Sequence, residues 1–171
     1  MIHLFLGPMY AGKTTRLLTI YHEKGGLILD YSDRKCQLGH MMNHNKETAP
    51  CVHLPLLQSI HTDASIQKMF THSSTIYINE AQFFPDLVEF VKRWEFKDIY
   101  LFGLDGDFLR NPIGQILHVI PLCDMVEKLN GKCADCTSAS VFSKRITNET
   151  QQLLLDETAY IPLCRKCYLN T

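Results

Sequence analysis

The sequence predicts an α/β fold in which a mostly parallel sheet carries helices on both faces, followed by a small β-rich unit that binds a metal. Two observations support this prediction. Short apolar runs alternate with helix-length segments over residues 1–130, an order typical of parallel sheets with helical connections. After residue 130 the pattern changes to two C-x-x-C pairs with little apolar sequence around them. We therefore predict two domains, 1–130 and 131–171.

The elements of the first domain can be assigned in chain order. Apolar runs predict buried strands at 2–6, 27–29, 51–54, 76–78 and 99–102. Helices are expected at 15–22, 63–70 and 86–94, with Asp63 as the N-cap of the second. Residues 30–49 are polar, rich in histidine and weakly periodic, so a long loop is expected there.

Composition and charge indicate an ordinary globular protein and argue against several classes of function. The 171 residues are enough for one principal core. The formal net charge is −1, and basic residues occur singly or in pairs, so no nucleic-acid-binding face is predicted. Apolar stretches fall short of the ~20 residues that a membrane-spanning helix needs. We therefore expect a soluble, cytoplasmic protein with no membrane partner.

Residues 7–14 match the motif G-x-x-x-x-G-K-[ST] between a predicted strand and a predicted helix. Such glycines let backbone N–H groups converge on phosphates, while the lysine reaches the β- and γ-phosphates and the threonine hydroxyl ligates Mg²⁺. A structural glycine turn is the alternative, but the strand-loop-helix context favours nucleotide binding and a P-loop (RecA-like) core. The motif consists of Gly7, Pro8, Met9, Tyr10, Ala11, Gly12, Lys13 and Thr14.

A second candidate element follows the predicted strand at 76–78. Asn79 stands where P-loop proteins usually carry an aspartate associated with Mg²⁺. Its amide can accept a hydrogen bond from a metal-bound water but brings no negative charge to the metal. Glu80 comes next, at the carboxyl end of a strand, where α/β sheets hold ligands. The alternative for Glu80 is an ordinary exposed loop acid.

Four of the seven cysteines predict a structural zinc site. Cys133, Cys136, Cys164 and Cys167 form two C-x-x-C pairs, and four thiolates suit a tetrahedral Zn²⁺ with no open position. A thioredoxin-like redox pair fits less well, because it would stand alone near the start of a βαβ unit. The histidines of segment 40–53 are irregularly spaced and are interpreted as packing or surface groups.

Together these motifs resemble the type II thymidine kinases, the cellular and poxvirus-like group. The resemblance is carried in order by GPMYAGKTT (7–15), NEAQFFPD (79–86), LDGDF (104–108) and CRKCY (164–168), over nearly the whole chain. It implies transfer of the γ-phosphate of ATP to the 5′-hydroxyl of thymidine, giving dTMP, with Mg²⁺ as cofactor. It also implies a zinc-held lasso domain that closes over the nucleoside, feedback inhibition by dTTP, and a homotetramer.

The resemblance also implies roles for individual residues. Glu80 matches the catalytic base that takes the proton from the 5′-hydroxyl, and Phe108 matches the aromatic that stacks on the base. The ATP and Mg²⁺ site would combine residues 7–14 with Asp33, Arg34, Asn79 and Gln82. The remaining wall of the nucleoside pocket would comprise Met9, Phe83, Leu104, Ser143, Gln152, Leu153, Leu154, Leu155, Asp156 and Tyr160.

The chain departs from the family pattern at several positions. Gln152 stands in place of a valine, Asp33-Arg34 in place of aspartate-x-arginine, and Asn79 in place of the metal-associated aspartate. A nucleotide-binding regulator with weakened catalysis is therefore an alternative to an active kinase. Glu80 favours catalysis, since a binding module does not need a carboxylate at that place. A zinc-ribbon nucleic-acid module is disfavoured by the absence of a basic face.

Overall fold

The computed structural model describes residues 1–154 and 156–170 and is built around a seven-stranded sheet. In chain order the strands are β1 (Ile2–Leu6), β2 (Leu27–Tyr31), β3 (Gln37–Met42), β4 (Thr48–Leu54), β5 (Thr75–Asn79), β6 (Asp98–Gly103) and β7 (Met125–Lys128). Their spatial order is β3-β4-β2-β5-β6-β1-β7. All neighbouring pairs are parallel except β3 and β4, which are antiparallel. The predicted mostly parallel sheet is confirmed.

Helices cover both faces of this sheet. Side chains alternate between the faces along each strand, so apolar residues on both faces need to be covered. The helices are α1 (Lys13–Lys24), α2 (Ala64–His72), α3 (Leu87–Arg93) and the short α4 (Arg165–Leu169). Leu4 and Ile78 belong to a buried cluster with residues of α2 and α3. Phe5 and Tyr77 belong to a second cluster with residues of α1. Within the described residues, every helix is too short or too polar to cross a lipid bilayer.

Two aspartates organise the helix starts on the α2 and α3 face. Asp63 caps α2 as predicted, because its Oδ1 accepts hydrogen bonds from the N–H groups of Ser65 (2.8 Å) and Ile66 (3.1 Å). Asp86 precedes α3 but accepts instead from the N–H groups of Leu57 (3.1 Å) and Gln58 (2.9 Å). Its carboxylate therefore holds a neighbouring 3-10 turn against the helix.

The predicted long loop over residues 30–49 is wrong, since this segment contains all of β3 and the start of β4. The two strands form a hairpin whose turn is closed by Asn43, with its Oδ1 accepting from the N–H groups of Asn45 and Glu47, both at 3.0 Å. As the edge strand, β3 buries only Met41 and so lacks a regular apolar alternation. The opposite edge strand, β7, was missed for the same reason, since Met125 and Val126 are exposed.

The carboxyl-terminal part forms two small antiparallel sheets and α4. The strands are β8 (Gly131–Lys132) with β9 (Ala139–Ser140), and β10 (Phe142–Arg145) with β11 (Tyr160–Leu163). The small core of this unit contains Cys133, Leu163 and Cys164, so its centre is built largely from thiols. The predicted small β-rich unit is confirmed, and its cysteine cluster fits a zinc ribbon. The domain division at residue 130 stays a prediction.

Candidate active site

The loop between β1 and α1 has a backbone that its glycines make possible. Gly12 has a φ of +80° and Gly7 a φ of +155°. A Cβ at Gly7 would lie 2.5 Å from the carbonyl oxygen of Leu129, so a larger residue would collide with β7's continuation. The Lys13 side chain is buried, and its Nζ donates to the carbonyl oxygens of Gly7 (3.1 Å) and Pro8 (2.8 Å). The loop is thus preformed around a lysine ammonium group.

A cavity of about 370 Å³ lies where β1, β2, β5 and β6 end, and the small unit contributes to its wall. It is lined by sixteen of the residues that were assigned to the site: Met9, Tyr10, Ala11, Gly12, Lys13, Thr14, Asp33, Glu80, Phe83, Leu104, Phe108, Ser143, Gln152, Leu153, Leu154 and Tyr160. Tyr31, Asn43, His44 and Asp107 also line it and were not anticipated. Residues as far apart in sequence as Met9 and Tyr160 thus share one cavity.

Other assigned residues lie outside this lining. Gly7 and Pro8, the first two residues of the loop, are buried and do not line the cavity. Arg34 is exposed to solvent, next to the cavity residue Asp33. Asp156 is also exposed, and its Oδ1 accepts from the N–H group of Thr158 at 2.9 Å. Leu155 falls outside the described residues.

Glu80 directly follows β5 with an unusual backbone and a fixed side chain. Its φ of +51° is in the left-handed region, which non-glycine residues rarely adopt. Gln82 Nε2 donates to Glu80 Oε2 at 2.7 Å, while Gln82 Oε1 accepts from the N–H group of Leu104 at 3.0 Å. Gln82 was assigned to the ATP and Mg²⁺ site, but in the structure it is buried behind Glu80 and orients that carboxylate.

Asn79 is buried and contacts an acid that the sequence analysis had not considered. Its Nδ2 donates to Asp30 Oδ1 at 2.7 Å, and the two residues are register partners on β5 and β2. The other oxygen of Asp30 lies 3.2 Å from His53 Nδ1 on β4. Burial raises the pKa of the Asp30 carboxyl, and the contacts with Asn79 and His53 oppose this shift.

Arg145 is a further residue that was not assigned to the site from the sequence. Its guanidinium carbon lies 3.9 Å from the centroid of the Phe108 ring. The same group donates to the carbonyl oxygens of Glu149 (2.9 Å), Gln151 (2.5 Å) and Gln152 (3.3 Å), and to Tyr160 Oη. Alternation in β10 places Arg145 on the side of Ser143, and this pattern could have drawn attention to it.

Gln152 connects the small unit to the loop that follows β6. Its Nε2 donates to Asp107 Oδ2 at 3.0 Å and to the carbonyl oxygen of Pro112 at 3.2 Å. Asp107 is buried, and its Oδ1 accepts from the N–H groups of Leu109 and Asn111, both at 2.8 Å. The Gln152 amide therefore holds the segment of residues 146–154, here called the lasso segment, to the wall of the cavity.

The four clustered cysteines have the geometry of a zinc site. Their Sγ atoms all lie within 4.8 Å of one another, and Cys136 Sγ is 3.7 Å from those of Cys164 and Cys167. A tetrahedral ion with Zn–S bonds of about 2.3 Å needs sulfur atoms roughly 3.8 Å apart, so the thiols fit zinc. Hydrogen bonding by the backbone of Ser138 lowers the pKa of Cys136 to about 6, which favours the thiolate that a metal requires.

Comparison with known proteins settles the family. A family model described as "Thymidine kinase" matches residues 1–168. The chain belongs to the thymidine kinase family. A thymidine kinase of Oryza sativa subsp. japonica is 37% identical over 180 residues, covering 99% of this chain and 66% of the rice protein. Thymidine kinases of monkeypox virus and Yaba monkey tumor virus are 35% and 33% identical, each over 99% of this chain and over 97% and 94% of their own lengths.

Membership of the thymidine kinase family confirms the predicted kinase class. The resemblance seen in four short motifs therefore extends over almost the whole chain. The chain spans nearly all of the poxvirus proteins but only about two thirds of the rice protein. The matched range contains both residues 7–14 and the four clustered cysteines.

The thiol geometry predicts about one zinc ion per chain of this thymidine kinase family member. Cys136→Ser should lose that zinc and lower the melting temperature, because three thiols hold the ion less tightly and the small unit has little apolar core. Cys36→Ser, outside the cluster, is the matched control and should retain the metal. Elemental analysis of the purified proteins checks both points, and a wild-type protein without zinc would contradict the assignment.

The contacts of Arg145 predict that Arg145→Lys loosens residues 146–154. Lysine keeps the charge but loses the planar fork that reaches several carbonyl oxygens and stacks on Phe108. Amide hydrogen exchange in this segment should accelerate by about tenfold while exchange in β1 and β5 stays unchanged. Arg93→Lys, at an exposed arginine of α3, is the control. Equal protection of 146–154 in both variants would show that Arg145 does not hold the segment.

Proposed function

We propose that this protein transfers the γ-phosphate of ATP to the 5′-hydroxyl of thymidine, giving dTMP. The observation that carries the proposal is a single cavity with a phosphate loop at one end and an aromatic side chain at the other. Lys13 and Thr14 line the first end, Phe108 lines the second, and Glu80 is in the same wall. A phosphate donor and a nucleoside acceptor can therefore meet beside a carboxylate.

The phosphate end is suited to a nucleotide triphosphate. Lys13 Nζ is held by two carbonyl oxygens, and phosphate oxygens would replace these acceptors on binding. The Thr14 hydroxyl lines the cavity and suits Mg²⁺, which prefers hard oxygen ligands, and Asn79 at the end of β5 would accept a hydrogen bond from a metal-bound water. Bound Mg²⁺ would neutralise charge on the transferring phosphoryl group. These residues give the chain the parts that a phosphotransferase needs at its donor site.

Glu80 is the proposed general base. Gln82 holds one of its carboxylate oxygens at 2.7 Å, which fixes the plane of the carboxylate and thus the position of the other oxygen. The left-handed backbone at Glu80 turns the chain sharply at the end of β5, where a ligand would lie. A carboxylate in this place can accept the proton of a hydroxyl nucleophile as it attacks.

The acceptor end is suited to a flat aromatic base. One face of Phe108 is covered by the Arg145 guanidinium, which leaves the other face as the stacking surface for thymine. Gln152, Leu153 and Leu154 border the cavity from the lasso segment, where backbone groups would pair with the polar edge of the base. Ser143 Oγ accepts from the N–H group of Met9 at 2.8 Å and so joins this end to the phosphate loop.

Further properties are proposed from the family likeness. A homotetramer, cytoplasmic location and feedback inhibition by dTTP are expected of this chain. Inhibition by dTTP is chemically reasonable in the cavity, because its base would stack on Phe108 while its phosphates extend towards the loop. The alternative function, a nucleotide-binding regulator with weak catalysis, is favoured only by Asn79.

A radiolabel transfer assay tests the proposed function and its alternative together. Labelled γ-phosphate should move from ATP to thymidine, and the assay should include deoxyuridine and deoxycytidine to define which base is accepted. A regulator would bind ATP but transfer no label to any nucleoside. Such a result, obtained with zinc-loaded protein, would overturn the proposal.

The general-base role predicts the effect of Glu80→Gln. The amide cannot take the hydroxyl proton, so kcat should fall by about 10²–10⁴ while the KM for thymidine changes only a few-fold. Glu95→Gln, an exposed residue away from the cavity, is the matched control. Steady-state kinetics of both variants check the prediction, and a near-wild-type kcat for Glu80→Gln would remove this residue from the mechanism.

A further inference from the structure

The last residue of β5 is uncharged, and an acidic residue lies beside it on the neighbouring strand β2. Asn79 is an amide, but its register partner on β2 is Asp30, and the two side chains are joined by a hydrogen bond of 2.7 Å. Both residues follow buried positions that face α1, since Asn79 comes two residues after Tyr77 and Asp30 two residues after Ile28. The pair therefore lies on the side of the sheet from which α1 begins.

We propose that Asp30 supplies the negative charge for the Mg²⁺–nucleotide complex that Asn79 cannot supply, with Asn79 as the bridge between them. This proposal rests on the proposed function, since it concerns the same phosphate site. The Asn79 Nδ2 group is turned to Asp30, so its amide oxygen is turned away from that acid, and under this proposal that oxygen accepts a hydrogen bond from a water of the metal shell. Asp30 thus acts as a positioning and charge-providing residue, not as a catalytic one.

The contacts of Asp30 fix the orientation of its carboxylate and act against burial, which raises the pKa of this group. Each of its oxygens has a nitrogen within hydrogen-bond distance, Asn79 Nδ2 at one and His53 Nδ1 at the other. His53 is itself held by the thiol of Cys51, whose Sγ lies 3.4 Å from His53 Nε2. This chain of contacts runs from β4 through β2 to β5, so three neighbouring strands position the Asn79 amide.

The polarity of the neighbouring helix end supports the same site. The first turn of α1 contains Thr14, which lines the cavity, and Thr15, whose Oγ1 accepts from Asn43 Nδ2 at 3.3 Å. No acidic residue lies in that turn, so the helix itself brings no carboxylate to a cation there. Asp33 and Glu80 line the cavity itself, and Asp30, held beside Asn79, adds a further carboxylate on the α1 side of the sheet for a dication bound between the loop and β5.

A different role for the same residues is a second metal site. Asp30, Cys51 and His53 offer three donor atoms within 4.8 Å of one another. Their atoms already satisfy each other through the contacts given above, and the Cys51 thiol is buried in an apolar cluster. We therefore favour a hydrogen-bonded support for Asn79, and the number of zinc ions per chain distinguishes the two roles.

A double-mutant cycle tests the proposal with Asp30→Asn, Asn79→Asp and the combined variant. The primary measurement is Mn²⁺ affinity, followed by electron paramagnetic resonance in the presence of a non-hydrolysable ATP analogue. Asp30→Asn should weaken Mn²⁺ binding by about tenfold, because one unit of negative charge is lost near the dication. The combined variant moves the charge to residue 79 and should restore the wild-type affinity or exceed it.

Asn79→Asp alone should destabilise the metal-free protein, although it adds a negative charge near the metal site. It would place two carboxylates at hydrogen-bond distance, so the melting temperature of the metal-free protein should fall below that of both the wild type and the combined variant. Glu95→Gln, which removes one exposed acid elsewhere, should leave both measurements unchanged. This control separates a local effect from the change in net charge.

The outcomes distinguish this inference from the proposed function. If wild-type protein transfers phosphate to thymidine but Asp30→Asn binds Mn²⁺ as tightly as the wild type, the role of Asp30 is refuted and the kinase activity stands. If the combined variant does not recover the affinity lost in Asp30→Asn, the charge at 30 and the amide at 79 do not act as a pair. Two zinc ions per wild-type chain, reduced to one in Asp30→Asn, would assign these residues to a metal site instead.

Discussion

The parallel direction of β1, β2, β5 and β6 determines where the functional groups of this protein lie. Parallel strands end at the same edge of a sheet, so residues that follow them come together although they are far apart in sequence. Lys13 follows β1, Asp33 follows β2, Glu80 follows β5 and Leu104 follows β6, and all four line one cavity. Because both faces of the sheet are buried under helices, this edge is where polar chemistry can be concentrated without disturbing the core.

The small carboxyl-terminal unit is stabilised by its contacts with this edge of the sheet, and it completes the wall of the cavity there. Its own core is little more than cysteines and one leucine, so contacts with the larger unit add to its order. Met9 donates to Ser143, and the Tyr168 hydroxyl donates to the carbonyl oxygen of Phe108 at 2.6 Å. These contacts connect the unit that holds the four clustered cysteines to Phe108 in the cavity wall. A change at the cysteine cluster is therefore expected to affect the part of the cavity around Phe108 before it affects Lys13 and Thr14.

How far the sequence predicts this structure depends on whether a feature is local in the chain. The phosphate loop, Glu80 and the cysteine pairs are continuous motifs, and helical and strand periodicity located most of the sheet. The edge strands β3 and β7 were missed, because exposed side chains remove the alternation that reveals a strand. Asp30 and Arg145 acquire their importance from partners on other strands or loops, and strand alternation, which places Arg145 on the side of Ser143, does not identify those partners. The roles assigned to individual cavity residues remain predictions.

Arg145 holds the lasso segment by its backbone. The guanidinium donates to the carbonyl oxygens of Glu149, Gln151 and Gln152, and a residue of any type would provide such a carbonyl group. Substitutions in this segment therefore leave the contacts with Arg145 in place, except that Gln152 also uses its side chain to contact Asp107 and Pro112. The part of the cavity wall that this segment forms should therefore tolerate more sequence variation than the loop at residues 7–14, where the positive φ angles of Gly7 and Gly12 restrict the choice of residue.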